Sequence, residues 1–185
     1  MNKDLLCEYF EKYLIDKFVL QLISYELKEV KGSSDISIKL LESSDCITID
    51  GSGVGLADSA FDALLGKYSS RYTSLTTIDL SDLYFQIDHG ADRSMNFRSK
   101  TDIKVEFLNA ANKKTCFSER TTSIGFTTVS VLTKAVEFYI NSELLFKRIK
   151  YLIQDAKDRG RSDIAAGLVY DLSKVVEVTS YQDIT

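Results

Sequence analysis

Residues 51–65 read Gly51-Ser52-Gly53-Val54-Gly55-Leu56-Ala57-Asp58-Ser59-Ala60-Phe61-Asp62-Ala63-Leu64-Leu65. Three glycines alternate with small residues, and then a stretch of high helix propensity runs without a breaker until Gly66. The residues just before it, 46–49, suit a short strand. The stretch is therefore a strand-to-helix turn. Glycines in such a turn permit positive φ and let another group come close to the backbone. The helix start that follows leaves amide hydrogens unpaired and carries partial positive charge, so it can receive a carboxylate or phosphate. Asp58, near the first turn, can pair with an ammonium or cap the helix itself. One end for a carboxylate and one for an ammonium suits an α-amino acid, whereas a plain tight turn capped by Asp58 fits the same residues. The loop lacks the Gly-Lys-Ser/Thr of a Walker A motif, and its glycine spacing is a poor dinucleotide fingerprint.

Upstream, 18–30 is apolar and aromatic with partial alternation and reads as a strand. After the turn Lys31-Gly32-Ser33-Ser34, Ile36, Ile38 and Leu40 keep the period of a half-buried strand. Downstream the same order returns. Leu75, Ile78, Leu80, Leu83, Phe85 and Ile87 alternate within 75–88, and Ile103, Val105 and Phe107 form a second run. Asn109-Ala110-Ala111-Asn112 turns into a third run at 113–117. Residues 118–122 read as a polar loop. An apolar-periodic segment over about 125–156 is too long for a strand and reads as a helix. Apolar faces at 4–14 and at Ile164, Leu168, Leu172 and Val175 predict a helix at each end, the second capped by Ser162 or Asp163.

The expected fold class is α+β, two pseudo-repeated βββα units with N- and C-terminal helices. The expected organisation is an N-terminal helix over 1–16, a βββα–βββα domain over 17–160 with units 17–70 and 73–160, and a helical tail over 161–185. Two three-stranded sheets are each too small to stand alone and must share a core with their helices.

The segment 53–64 resembles the Gly-x-Gly-Pro-Val-Asp-Ala-x-Phe-x-Ala-Leu signature of the C-terminal allosteric domain of α-isopropylmalate and citramalate synthases. Gly53, Gly55, Asp58, Phe61, Ala63 and Leu64 fall on its defining positions, while Leu56, Ala57 and Ser59 replace proline, valine and alanine. The strand opening from Phe18 to Tyr25 is similar as well, and the resemblance spans roughly residues 5 to 145. In the second half Ser123 stands for the family's loop serine, and Gly125 falls where its aspartate belongs. Asn141 resembles the family's helix end with a two-residue slip.

The resemblance implies a homodimer holding a feedback amino acid of the branched-chain type at its interface. The effector residues it implies are Gly53, Gly55, Leu56, Ala57, Asp58, Phe61 and Ser123. In that arrangement the amides of Gly53 and Gly55 meet the carboxylate, Asp58 the ammonium, and Leu56 or Phe61 forms an apolar wall. The family's catalytic barrel needs at least about 200 residues and cannot fit here, so no catalytic residue is expected. The alternatives are a regulatory subunit acting on a catalytic synthase subunit, a sensor, or a module that only dimerises.

The rest of the composition excludes more than it assigns. A net charge of −4 argues against nucleic acid and against an anionic membrane surface. No apolar run is long enough to span a bilayer, and acidic residues interrupt the N-terminal apolar stretch, so the cytoplasm is the expected compartment. Cys7, Cys46 and Cys116 form no CxxC pair, and proline is absent altogether. No cofactor and no metal are expected. The single histidine, His89, could ligate only with Asp88 and Asp92, in a segment that reads as a solvated loop. Arg159 and Arg161, in the basic break between the last two helices, suit docking of a partner protein if they are more than a solvated face. Tyr68, Tyr72 and Tyr139 are candidates to line a pocket, with core packing as the simpler reading.

Overall fold

A computed structural model describes residues 3–87 and 100–179. It is an α+β fold. An N-terminal helix α1 (Lys3–Tyr13) leads to three antiparallel strands, β1 (Leu20–Val30), β2 (Ser33–Glu42) and β3 (Asp45–Gly53), and then to helix α2 (Leu56–Tyr68). A 3-10 turn (Thr73–Thr77) opens the second unit. It contains β4 (Ile78–Ile87), β5 (Thr101–Asn109), β6 (Lys114–Thr121) and the long helix α3 (Ile124–Asp158). Helix α4 (Ser162–Thr179) closes the described chain. The strands form two separate sheets, ordered β1-β2-β3 and β4-β5-β6.

The two units repeat in register as well as in element order. In β1 the pairing with β2 slips between Leu22 and Ser24, and in β4 the pairing with β5 slips between Leu80 and Asp82. Each first strand thus carries a bulge after its third residue, and a bulge reverses which residues face inward. The core-facing set becomes Leu20, Leu22, Tyr25 and Leu27 in one unit. In the other, Ile78, Leu80, Leu83 and Phe85 share one face, opposite Asn109, Phe107, Val105 and Ile103, with Phe85 49% exposed at its outer end. Both follow the spacing i, i+2, i+5, i+7.

Helices α2 and α3 touch each other, α2 lying on β2 and β3 while α3 lies on β5, β6 and β1. The units share one core where Phe61 of α2 meets Phe107 of β5, with ring centroids 5.5 Å apart. Leu6 and Phe10 of α1 and Val175 of α4 are buried in that same core. The terminal helices are therefore integral to it.

Three expectations change. Residues 118–121 extend β6 instead of forming a loop, since Phe117 and Glu119 both pair with β5. Leu75 lies in the 3-10 turn, whose Ser74 amide donates to Glu143 Oε2 at 2.8 Å, so the strand begins only at Ile78. Helix α3 runs to Asp158, in keeping with the apolar period over about 125–156, so Asn141 lies mid-helix and not at the helix end that the resemblance implies. His89, Asp88 and Asp92 lie outside the described residues.

Asp171 of α4 joins the two terminal helices. It accepts hydrogen bonds from Lys12 Nζ at 2.7 Å, from Tyr9 Oη at 3.4 Å and, more closely, from Tyr13 Oη. Burial alone would raise its pKa, but the Lys12 and Tyr13 hydrogen bonds outweigh burial and hold the carboxyl below its ordinary value. A carboxyl depressed in the folded state stabilises the fold above its unfolded pKa and loses that contribution as pH falls through the folded one. Asp171→Asn should therefore lower the melting temperature fully above about pH 5. The gap to wild type should close as the solution is acidified. A gap independent of pH would mean that the contact acts by packing alone.

Candidate functional site

The glycine turn after β3 solves a packing problem first. Gly51 pairs with Ile36 and Gly53 with Ser34, on the sheet face that α2 covers. With no side chains there, the helix comes close. A Cβ on Gly51 would stand 2.5 Å from the Ala63 amide nitrogen and 2.5 Å from the Ser59 carbonyl oxygen. A Cβ on Gly53 would stand 2.5 Å from Asp58 Oδ2, so the aspartate occupies that space. Gly55 is the N-cap of α2 with φ of +89°, a conformation that favours glycine.

The turn's own amides are mostly engaged. Val54 N donates to Asp58 Oδ2 at 2.8 Å, and Gly55 N donates to Ser34 Oγ at 2.7 Å. Ser59 Oγ donates to the carbonyls of Gly55 at 2.7 Å and Ser34 at 3.1 Å, which ties the helix start to β2. Asp58 thus caps the turn as its place in the sequence suggested. The engaged donors belong to Val54 and Gly55, so a carboxylate arriving here meets the first helical turn instead. The first intrahelical bond is Ser59 N to Gly55 O at 3.1 Å. The amides of Leu56, Ala57 and Asp58 precede it and have no intrahelical acceptor.

The second unit builds the same corner. Ser123 is the N-cap of α3, its carbonyl accepts from Thr127 N at 3.0 Å, and the amides of Ile124, Gly125 and Phe126 precede that bond. Phe126 takes the place that Asp58 has in the first unit, so that position carries no acid. The two helix starts lie against each other. A Cβ on Gly125 would be 3.6 Å from Leu56 Cδ2 and would overlap the hydroxyl oxygen of Tyr25. Leu56 therefore lies beside Gly125, two residues past Ser123, and Asp58 is exposed while Leu56 and Ala57 are half-buried.

Phe61 points away from the paired helix starts, 7% exposed and packed on Phe107. The apolar side chains facing outward are Val54, Ile124 and Phe126, at 75%, 44% and 40% exposure. Tyr25 and Ser34 were not singled out from sequence as site residues. Tyr25 sits five residues into its strand, on the inward side only because of the bulge, and Ser34 caps the turn from 21 residues away.

The other candidates resolve simply. Tyr68 is buried and donates to Glu42 Oε2 at 3.0 Å; burial first, then that hydrogen bond, raises its pKa. Tyr72 and Tyr139 are core residues. Arg159, the C-cap of α3, pairs with Asp155 in its last turn at 2.9 Å. Among the described residues no group of acids, cysteines and histidine could hold a metal ion, and no helix is long and apolar enough to cross a membrane. No protein-family model matches the chain, and no curated protein matches it either.

Proposed function

We propose that the chain is a non-catalytic regulatory module that holds a small α-amino acid at its paired helix starts and works as a homodimer. The observation that supports this best is the approach of two N-terminal turns, one from each repeat, Leu56 of the first lying beside Gly125 of the second, with the exposed Asp58 two residues past Leu56. Amides without an intrahelical acceptor at the positive ends of two helices favour a carboxylate. The Asp58 carboxylate beside them favours an ammonium, and Leu56 offers an apolar wall for a branched side chain. The resemblance to the allosteric domains of α-isopropylmalate and citramalate synthases points to the same ligand class.

Calorimetric titration with leucine, isoleucine and valine is the test, with saturable heat expected for at least one of them. Asp58→Ala should weaken that binding roughly tenfold or more, about 1.4 kcal/mol. It should also cost about 1 kcal/mol of stability through loss of the Val54 cap. A flat titration with all three amino acids at millimolar concentration would defeat the effector reading.

A second reading is an assembly module without ligand. It is favoured by the engaged amides of Val54 and Gly55 and by the apolar rim of Val54, Ile124 and Phe126. Sedimentation separates the two: a tight dimer that gives no heat with any amino acid supports assembly alone.

A further inference from the structure

A cleft of about 380 Å³ lies between α1, the segment 17–19, the middle of α3 and β6. It shares no residue with the paired helix starts. Its floor is aromatic. Phe138 meets Phe10 at 5.6 Å and Phe117 at 5.4 Å between ring centroids, both edge to face, and all three rings are buried. Its rim carries Lys3, Lys17 and Lys134.

Each of these ammonium groups holds one local partner. Lys3 Nζ donates to the Cys116 carbonyl at 3.3 Å and sits 4.4 Å above the Phe117 ring. Lys134 pairs with Glu119 at 2.8 Å, and Lys17 pairs with Glu11. An ammonium has three donors, so each keeps capacity for a further acceptor. Among the described residues two carboxylates line the cleft, Glu11 beside Lys17 and Glu137, which accepts from the Leu20 amide at 2.6 Å. With Glu119 counted, three lysines meet three carboxylates; Lys3 is the ammonium held by a carbonyl and a ring and, among the described residues, by no carboxylate, and apolar surface lies at the base. The volume is at the small end of the range for small-molecule sites.

We propose that this cleft is a binding site for a small amphipathic carboxylate, its apolar chain or ring on Phe10, Phe117 and Phe138 and its carboxylate at Lys3 and Lys134. A wholly apolar guest would leave Lys3 without a role, and a cationic one would be repelled by the Lys3 ammonium, which is held by the Cys116 carbonyl and the Phe117 ring. The site is independent of the amino-acid reading above.

Cys7 lines the cleft and is exposed, whereas Cys46 and Cys116 are exposed outside it. Burial pushes the Cys7 thiol up, so alkylation is best followed at alkaline pH. The experiment measures iodoacetamide labelling of each cysteine by mass spectrometry, with octanoate or octanamide present. Octanoate should slow labelling of Cys7 severalfold and leave Cys46 unchanged, and octanamide should protect much less. The double substitution of Lys3 and Lys134 by Gln should erase the advantage of octanoate over octanamide. Asp58→Ala should leave it intact. Equal protection by the two probes, no protection of Cys7, or parallel slowing at Cys46 would each overturn the proposal.

Discussion

Gly51→Val should remove most of the stability of this fold. The glycine lies on the sheet face that α2 covers, and what a Cβ would strike there is backbone: the amide of Ala63 and the carbonyl of Ser59, both at 2.5 Å. Neither can rotate away, as the tip of a side chain could. The helix would have to lift from β3, and Ala60, Phe61 and Leu64, all buried against the sheet and the second unit, would lift with it. Overpacking a tight core costs about 1–3 kcal/mol when side chains can give way, and more when backbone must move. A loss of roughly 3 kcal/mol or more is expected in urea denaturation, with Gly51→Ala intermediate. Gly66→Ala, in the same helix and with open space around it, should be neutral or stabilising by up to about 1 kcal/mol. If Gly51→Val unfolds at the wild-type midpoint, α2 does not lie on β3 as described.

The glycines were legible as a turn, but their separate tasks were not. Nothing in the spacing of 51, 53 and 55 says that the first admits a helix, the second an aspartate and the third a positive φ. Each task depends on where Ser59, Ala63 and Asp58 stand after α2 docks. The strands were legible because their apolar sets alternate, and the pattern i, i+2, i+5, i+7 in both first strands already contains the bulge. The second half of β6, 118–121, was hidden because its inward positions include Glu119. That residue takes the place of Gly51 in the second unit and reaches Ser130 at 3.1 Å and Lys134 at 2.8 Å on α3. A charged residue there breaks the apolar alternation, yet its partners are supplied from the helix. The 3-10 turn was hidden for a similar reason, since the acid that pins it, Glu143, is 69 residues away.

Asn141→Leu should be the other costly change, although the two side chains are nearly equal in size. Asn141 is 4% exposed on α3, and its amide behaves as a piece of strand edge. Its Oδ1 accepts from Phe18 N at 2.9 Å and its Nδ2 donates to Phe18 O at 2.8 Å. One helical turn earlier, Glu137 accepts from Leu20 N. Four helical residues advance about 6 Å and two strand residues about 6.6 Å. Side chains at i and i+4 of α3 therefore match backbone groups at i and i+2 where the chain enters β1. Leucine would leave both polar groups of Phe18 without partners against an apolar wall, at about 1–3 kcal/mol for each buried group. It would also loosen the Phe18 ring from Tyr68 and Tyr72, which it meets at 5.6 and 5.7 Å. A destabilisation of roughly 2–5 kcal/mol is expected, with hydrogen-exchange protection lost first at the start of β1. Glu137→Gln keeps an acceptor for Leu20 N and removes a half-buried charge whose pKa burial has raised, so it should stay close to wild type at neutral pH. The contrast between these two variants tests the match directly. If Asn141→Leu falls within about 1 kcal/mol of wild type, β1 is held by its sheet alone and α3 contributes only apolar contact.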